Sequence, residues 1–279
     1  MRAIEQQAND AILCRLARHS AAIINSVRTV GFDPVTQRKG DGEEVGTGFA
    51  GRWGRHDFIL TAKHVLRKAR ASDLRVFFMP SGAVEYRAAA DLRKHDIVDG
   101  LPLTEHSAII HRCPWEDLAL ITVSSEAIPN TEFFAMDCCI DPAPGETVHC
   151  FGFPVDHSLV VDQQMMGSKE ERTIAIYPTP FSTRVLPLPS EDERRFKITE
   201  FDPDSHYLVA YDNAAKGKHP GGVSGAAIWW ESDQPKLIWR PHFKFAGICV
   251  ACYKRGTVIQ VVKASVVRRF LEEVFGPAE

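Results

Sequence analysis

Along most of the chain, short apolar, strand-like runs, some alternating with polar residues, are separated by clusters of Gly, Pro, Asp and Asn. A period of two with such punctuation is the signature of half-buried β-strands. Ser26–Phe32 alternates in this way, Gly40–Glu44 reads as a turn, and Val45–Gly51 reads as a glycine-studded strand followed by His56–Thr61. Leu74–Met79, Val84–Ala89, Ser107–His111 and Leu118–Val123 continue the series. A loop over Ser124–Thr131 and a turn over Ile140–Gly145 separate it from a second series. That series comprises Thr147–Phe153, Arg172–Tyr177, Thr183–Leu186, Arg195–Thr199, Tyr207–Tyr211, Ala226–Trp230, Phe243–Ala251 and Thr257–Val262, with Pro187–Glu193 as an exposed loop. Two stretches have helical spacing instead. At the N-terminus, Ile4, Ala8, Ile12, Leu16, Ala21 and Ile24 stand at roughly helical spacing, with Arg15, Arg18 and His19 between them, which reads as an amphipathic helix. At the C-terminus, Ala264–Phe275 is stopped by Gly276-Pro277. The pattern predicts an all-β protein of two halves bracketed by helices: a helical extension over 1–26, a first β half over 27–135, and a second over 136–279 that includes the C-terminal helix.

Composition narrows what such a protein does. The 279 residues are 44% hydrophobic and 25% charged, as in ordinary globular chains. A formal net charge of -3 supplies no basic field, so no nucleic acid partner is expected. No apolar run reaches the length of a membrane-spanning helix, and Met1–Gln7 lacks the apolar core of a secretory signal, so a cytoplasmic protein without membrane contact is expected. Cysteines at 14, 113, 138, 139, 150, 249 and 252 are odd in number and mostly sit in apolar runs, which suits reduced, buried thiols. Cys249 and Cys252 have CxxC spacing, but within a strand and with no second pair or histidines nearby. They read as strand residues rather than as a zinc or redox site. Neither a metal nor a cofactor is expected.

Candidate chemistry concentrates in three places. Gly221-Gly222-Val223-Ser224-Gly225-Ala226-Ala227-Ile228 sets a serine among glycines just before a strand, where a hydroxyl can stand clear of the backbone and neighbouring N–H groups can point at one spot. His64 ends the strand Phe58–Ala62, and Asp117 precedes the strand beginning at Leu118. Each alone has an ordinary explanation as a cap, a turn residue or a loop hydroxyl. Together they supply a nucleophile, a base and an acid to orient the base, each at a strand edge. His219, His56, Asp57 and Cys113 form no equally coherent set.

These pieces resemble the chymotrypsin-like (trypsin-like) serine peptidases, in particular the intracellular and bacterial members of HtrA type. The resemblance lies in Gly46-Thr47-Gly48-Phe49 with Phe58-Ile59-Leu60-Thr61-Ala62-Lys63-His64-Val65, in Glu116-Asp117-Leu118-Ala119-Leu120-Ile121, in the serine turn, and in Phe245–Val250 followed by Gly256–Ile259 and a terminal helix. It covers about 27 to 276 and leaves the N-terminal helix and 167–204 unmatched. It implies two six-stranded Greek-key β-barrels with the site between them, His64 and Asp117 from the first and Ser224 from the second. Ser224 would attack a peptide carbonyl, His64 would take its proton and Asp117 would hold the imidazole. The N–H groups of Gly222 and Ser224 would form the oxyanion hole, where losing one donor costs about 2.7–4 kcal/mol of transition-state stabilisation. Lys218 would lie at the specificity-pocket floor, and Val250, Ala251 and Cys252 along its wall. A lysine there disfavours basic side chains, and Cys252 narrows the pocket. The expected partner is a protein or peptide bound as an extended strand along 250–252, cleaved with restricted specificity, with a regulatory protein as a further partner. Two departures stand out. Val223 occupies the place of an aspartate that pairs with a trimmed N-terminus in secreted members, so packing or a partner must hold the turn here. Ala226 stands where glycine is usual. A catalytically silent copy of the same fold, used as a peptide-binding scaffold, is the alternative.

Overall fold

The computed structural model describes residues 19–33, 38–78, 101–102, 108–124, 131–153, 159–166, 169–175, 179–196, 198, 200–211, 220–231, 243–253 and 256–278. The strand expected over Val84–Ala89, Lys218, and the N-terminal helix as far as residue 18 lie outside these.

The first sheet is built from β1 (Ser20–Asp33), β2 (Arg38–Trp53), β3 (His56–Ala62), β4 (Leu74–Phe78), β6 (Ala108–Arg112) and β7 (Leu118–Val123). Three sequential strands pair as hairpins and β4 returns beside β1, giving the order β4-β1-β2-β3-β7-β6, a Greek key. Two two-residue strands bring the total to eight: β5 (Leu101–Pro102) on β4 and β8 (Phe134–Ala135) parallel to β2. The second sheet orders β12 (Thr179–Arg184), β9 (Thr147–Gly152), β14 (Ala227–Glu231), β15 (Phe243–Tyr253), β16 (Val258–Lys263) and β13 (His206–Ala210). It closes on itself, because Val185 just beyond β12 bridges Val209 of β13 and the Leu186 N–H donates to the Leu208 carbonyl at 2.8 Å. Closure removes the open sheet edges. A separate hairpin, β10 (Leu159–Met166) with β11 (Lys169–Ala175), is inserted between β9 and β12.

Alternation along the strands fills two cores, one with Ile23, Phe49, Phe58 and Leu120, the other with Val148, Cys150, Val209 and Val261. An aromatic seam within the first cluster joins β2 of the first sheet to β14 and β15 of the second. Phe49 stacks on Phe245 with centroids 5.0 Å apart and meets Trp229 edge-on at 5.5 Å.

Three expectations are corrected. Ser20–Ile24, read as the end of a helix, begins β1: Ala21–Asn25 pairs with β4 and with the Glu44–Gly48 stretch of β2, and these ladders override the helical spacing. Gly40–Glu44, read as a turn, lies within β2, where it pairs with β1 across a register slip between Asn25 and Thr29. Arg195–Thr199, read as a strand, overlaps the short helix α1 (Glu191–Phe196). A capping box explains it. The Ser190 hydroxyl accepts from the Glu193 N–H at 3.2 Å, the Glu193 carboxylate accepts from the Ser190 N–H at 3.3 Å, and three acidic residues occupy the first turn.

The C-terminal helix α2 (Ala264–Phe275) follows β16 directly but covers the first barrel. Its buried residues Val266, Val267, Phe270 and Leu271 lie on one face. Phe275 stacks on His56 at 4.6 Å, the Arg269 guanidinium sits 3.8 Å over Trp115, and Trp53 Nε1 donates to the Gly276 carbonyl at 2.9 Å.

Candidate active site

Antiparallel pairing of Ala62 in β3 with Leu118 in β7 brings the end of one strand beside the start of the next. His64 stands in the 3-10 turn Lys63–Leu66 that leaves β3, and Asp117 immediately precedes β7. The Lys63 N–H donates to the Asp117 carbonyl at 3.1 Å. The Asp117 carboxylate then takes both donors of its neighbour: Oδ1 accepts the His64 backbone N–H at 2.9 Å, and Oδ2 lies 2.6 Å from His64 Nδ1. A carboxylate at Nδ1 keeps the proton on that nitrogen and leaves Nε2 as the free base. The histidine side chain is 26% exposed, so it is held and still reachable.

Glu116, the preceding residue, points to the other barrel. Its Oε2 lies 3.0 Å from Nε2 of His206 at the start of β13, with the two side chains only 11% and 6% exposed. His206 Nδ1 accepts the Asp202 N–H at 3.0 Å, so its proton sits on Nε2 and is donated to Glu116. Asp202, bonded by the Asp204 N–H and the Ser205 hydroxyl, is held below the usual carboxylate range. The sequence reading missed the Glu116–His206 pair. Its members are 90 residues apart, and the only local signal is the adjacency of two acids.

The serine turn belongs to the second barrel but is fastened to the first. Pro220–Val223 is a β-turn closed by the Val223 N–H on the Pro220 carbonyl at 3.0 Å, and Gly222, third in the turn, has φ 90°, as a type II turn requires. The Gly225 N–H donates to the Cys249 carbonyl at 2.7 Å and the Ala226 N–H to the Val223 carbonyl at 2.9 Å. Gly225 also has φ 90°, and a Cβ there would overlap the Thr47 carbonyl oxygen and the Thr61 hydroxyl. Fully buried Thr47 of β2 reaches across the interface. Its N–H donates to the Ser224 carbonyl at 2.8 Å and its hydroxyl to the Gly222 carbonyl at 2.7 Å. Val223 is buried in the second core, and Ala226 packs in full burial near Gly152. Among the described residues no hydrogen bond joins the Ser224 hydroxyl to His64. Such bonds are often long without substrate and tighten in the complex.

Of the expected pocket wall, Val250 is buried, Ala251 half-buried and Cys252 exposed. Val250 is the extra residue of a register slip between Cys249 and Ala251 against β16, which re-aims the strand there. On its other side β15 pairs with β14 only as far as Ile248, plus the two bonds of Cys249 to the serine turn. Cys249 is buried but Cys252 is not, so the expectation of buried thiols fails for Cys252, and for Cys138 as well. All six described cysteines are free. Burial pushes the Cys113 thiol up, away from the thiolate a nucleophile needs.

No protein-family model matches the chain, and neither does any curated protein sequence. Solved structures do. Rv3671c of M. tuberculosis, in an inactive mutant form, is 15% identical with a TM-score of 0.50, covering 97% of this chain and 94% of its own. The inactivated protease paralogue S-I1 of the scabies mite is 12% identical with a TM-score of 0.50, covering 93% and 96%. The MamO protease domain of Magnetospirillum magneticum, in its apo form, is 16% identical with a TM-score of 0.50, covering 92% and 97%. At these identities the likeness is one of fold. With two Greek-key barrels, a strand-end histidine and aspartate on the first and a glycine-bounded serine turn on the second, the chain has the double-barrel fold of chymotrypsin-like proteases.

Proposed function

We propose that the chain is a serine endopeptidase in which Ser224 attacks the scissile carbonyl, His64 takes and returns the proton, Asp117 orients His64, and the N–H groups of Gly222 and Ser224 receive the oxyanion. The observation that carries this reading is the double grip of Asp117 on His64, which fixes the tautomer a general base needs. The attack forms an Oγ–C bond and moves the hydroxyl proton to His64 Nε2. Collapse of the tetrahedral intermediate passes that proton to the leaving amine, and water then releases the acyl group by the same route. The substrate lies extended along Val250–Cys252, the part of β15 that β14 leaves unpaired. By the resemblance, Lys218, which lies outside the described residues, takes the pocket-floor place and Cys252 the wall, a combination that would favour small or acidic side chains over Arg and Lys and suits restricted cleavage of a protein partner.

A fluorophosphonate probe tests the reading: wild-type protein is labelled at Ser224, and Ser224→Ala abolishes labelling. A second reading, a silent scaffold of the same fold, is favoured by the missing hydrogen bond between Ser224 and His64. It predicts folded wild-type protein that resists the probe at every pH and still binds extended peptides. Efficient cleavage after Arg or Lys in a peptide library would overturn the specificity assignment while leaving the mechanism standing.

A further inference from the structure

We infer that Thr47 is a positioning residue that holds the oxyanion turn in its working shape, across the barrel interface and without help from a chain terminus. The inference rests on the proposed endopeptidase reading and assigns what keeps that site assembled. A turn that must aim two N–H groups at one point has to have its peptide planes fixed. Each plane is fixed when its carbonyl is held, because carbonyl and following N–H are parts of one rigid unit. Thr47 holds two such carbonyls. Its hydroxyl donates to the Gly222 carbonyl at 2.7 Å, fixing the plane between Gly222 and Val223, and its N–H donates to the Ser224 carbonyl at 2.8 Å, fixing the plane between Ser224 and Gly225. The planes so held carry the Val223 and Gly225 N–H groups, and the Gly222 and Ser224 N–H groups hinge on the α-carbons that those planes fix. The Val223 carbonyl, which shares a plane with the Ser224 N–H, is itself held by the Ala226 N–H at 2.9 Å.

Thr47 is itself fixed. Its hydroxyl accepts the Phe153 N–H at 3.0 Å while donating to Gly222, so the rotor has one orientation that satisfies both groups. Its carbonyl accepts the Thr61 hydroxyl at 2.7 Å. Thr61 lies in β3, three residues before His64, so the same chain of bonds connects the serine turn to the strand that delivers the base. Thr47 and Thr61 are both fully buried. Beyond the two backbone bonds that close the turn, Val223 has no polar side chain to anchor it from outside. It packs against Val148, Cys150 and their neighbours. Gly225 permits the close approach, since a Cβ there would overlap the Thr47 carbonyl oxygen and the Thr61 hydroxyl.

The test compares Thr47→Val, which keeps the shape and removes the hydroxyl, with Thr47→Ser, which keeps the hydroxyl. For Thr47→Val the maximal rate of phosphonylation of Ser224 falls about 100-fold, the scale of losing one oxyanion donor, while the half-saturating probe concentration stays within about twofold. Thr47→Ser restores the rate to within about threefold of wild type, on the same reasoning that the donor is retained. A folded Thr47→Val protein phosphonylated at the wild-type rate overturns the inference, as does a Thr47→Ser protein as slow as Thr47→Val. If Thr47→Val does not fold, Thr47→Cys takes its place as a weaker donor, with an intermediate loss of rate expected and the wild-type rate again fatal. Amide hydrogen exchange separates this inference from the proposed activity. If wild-type protein is never labelled, the endopeptidase reading fails. The clamp is then read from the Val223, Gly225 and Ala226 amides, which exchange at least about tenfold faster in Thr47→Val if the turn loosens. Unchanged exchange overturns the clamp.

Discussion

At the scale of single residues, Asp117 and Glu116 are chemically near-equivalent neighbours with different work, and geometry alone separates them. Asp117 faces the ring and backbone of His64, whereas Glu116 faces His206 of the other barrel. Asp117→Asn is expected to keep the fold and lower kcat about ten-thousandfold. The Asn carbonyl oxygen would stay on the His64 backbone N–H, turning the amide NH2 toward Nδ1 and forcing the proton to Nε2, the wrong tautomer for a base. Single-turnover acylation measures this, and a loss under about tenfold would assign Asp117 a purely structural role. The places of His64 and Asp117 beside facing strand ends and of Ser224 in a glycine-bounded turn were legible, because the adjoining strands show as apolar runs in the sequence. Thr47 and His206 were not, since their roles come from bonds spanning 175 and 90 residues, for which no local pattern exists.

At the scale of elements, the strands written as mainly apolar runs and the terminal helix were the legible ones: β16, β7 and α2 fall where those runs and the stop signals place them. Misread segments share one cause, the victory of pairing or capping over local pattern. The charged, glycine-bearing half of β2 has no strand period, yet it pairs with β1 on both sides of a register slip. The helix α2 shows a related effect, since its contiguity with β16 does not disclose that it covers the first barrel. Phe270 is buried in the first core and meets Trp115 edge-on, so Phe270→Ala should destabilise the protein by about 3–5 kcal/mol. Guanidinium unfolding followed by tryptophan fluorescence reads it, and a shift confined to second-barrel probes would contradict the assignment. Near the end of α2, His111 of β6 meets Phe275 at 6.4 Å, and burial holds its imidazole below the ordinary value. The unfolded chain therefore binds this proton more tightly than the folded one. The associated stability is full above the unfolded value of about 6.5 and is lost as pH falls through the depressed folded value. His111→Gln should accordingly narrow the gap in melting temperature between about pH 7.5 and about pH 5. An unchanged gap would remove His111 from that dependence.

At the scale of the whole molecule, activity of the proposed kind requires two barrels to keep a fixed relation, because His64 and Asp117 ride on one and Ser224 on the other. Among the connections that do this are the aromatic seam of Phe49, Trp229 and Phe245, the bonds of Thr47 to the serine turn, and the buried Glu116–His206 pair. The last differs in kind, because both partners are polar and nearly excluded from water. Removing one partner leaves the other desolvated and unsatisfied, at a cost of about 1–3 kcal/mol. Removing both as isosteric apolar groups is far less harmful than the sum. Glu116→Leu and His206→Leu should therefore each destabilise the protein by about that amount, and the double variant by clearly less than their total, with a coupling of about 1 kcal/mol or more. Because Glu116 abuts Asp117 in the chain, slack between the barrels also reaches the catalytic pair. The single variants should lower the rate of Ser224 phosphonylation, and the double variant should recover part of it along with the stability. Strictly additive stability changes would show that the pair does not couple the barrels. Coupled stability with phosphonylation unchanged throughout would show that the relation of the barrels is set by Thr47 and the aromatic seam alone.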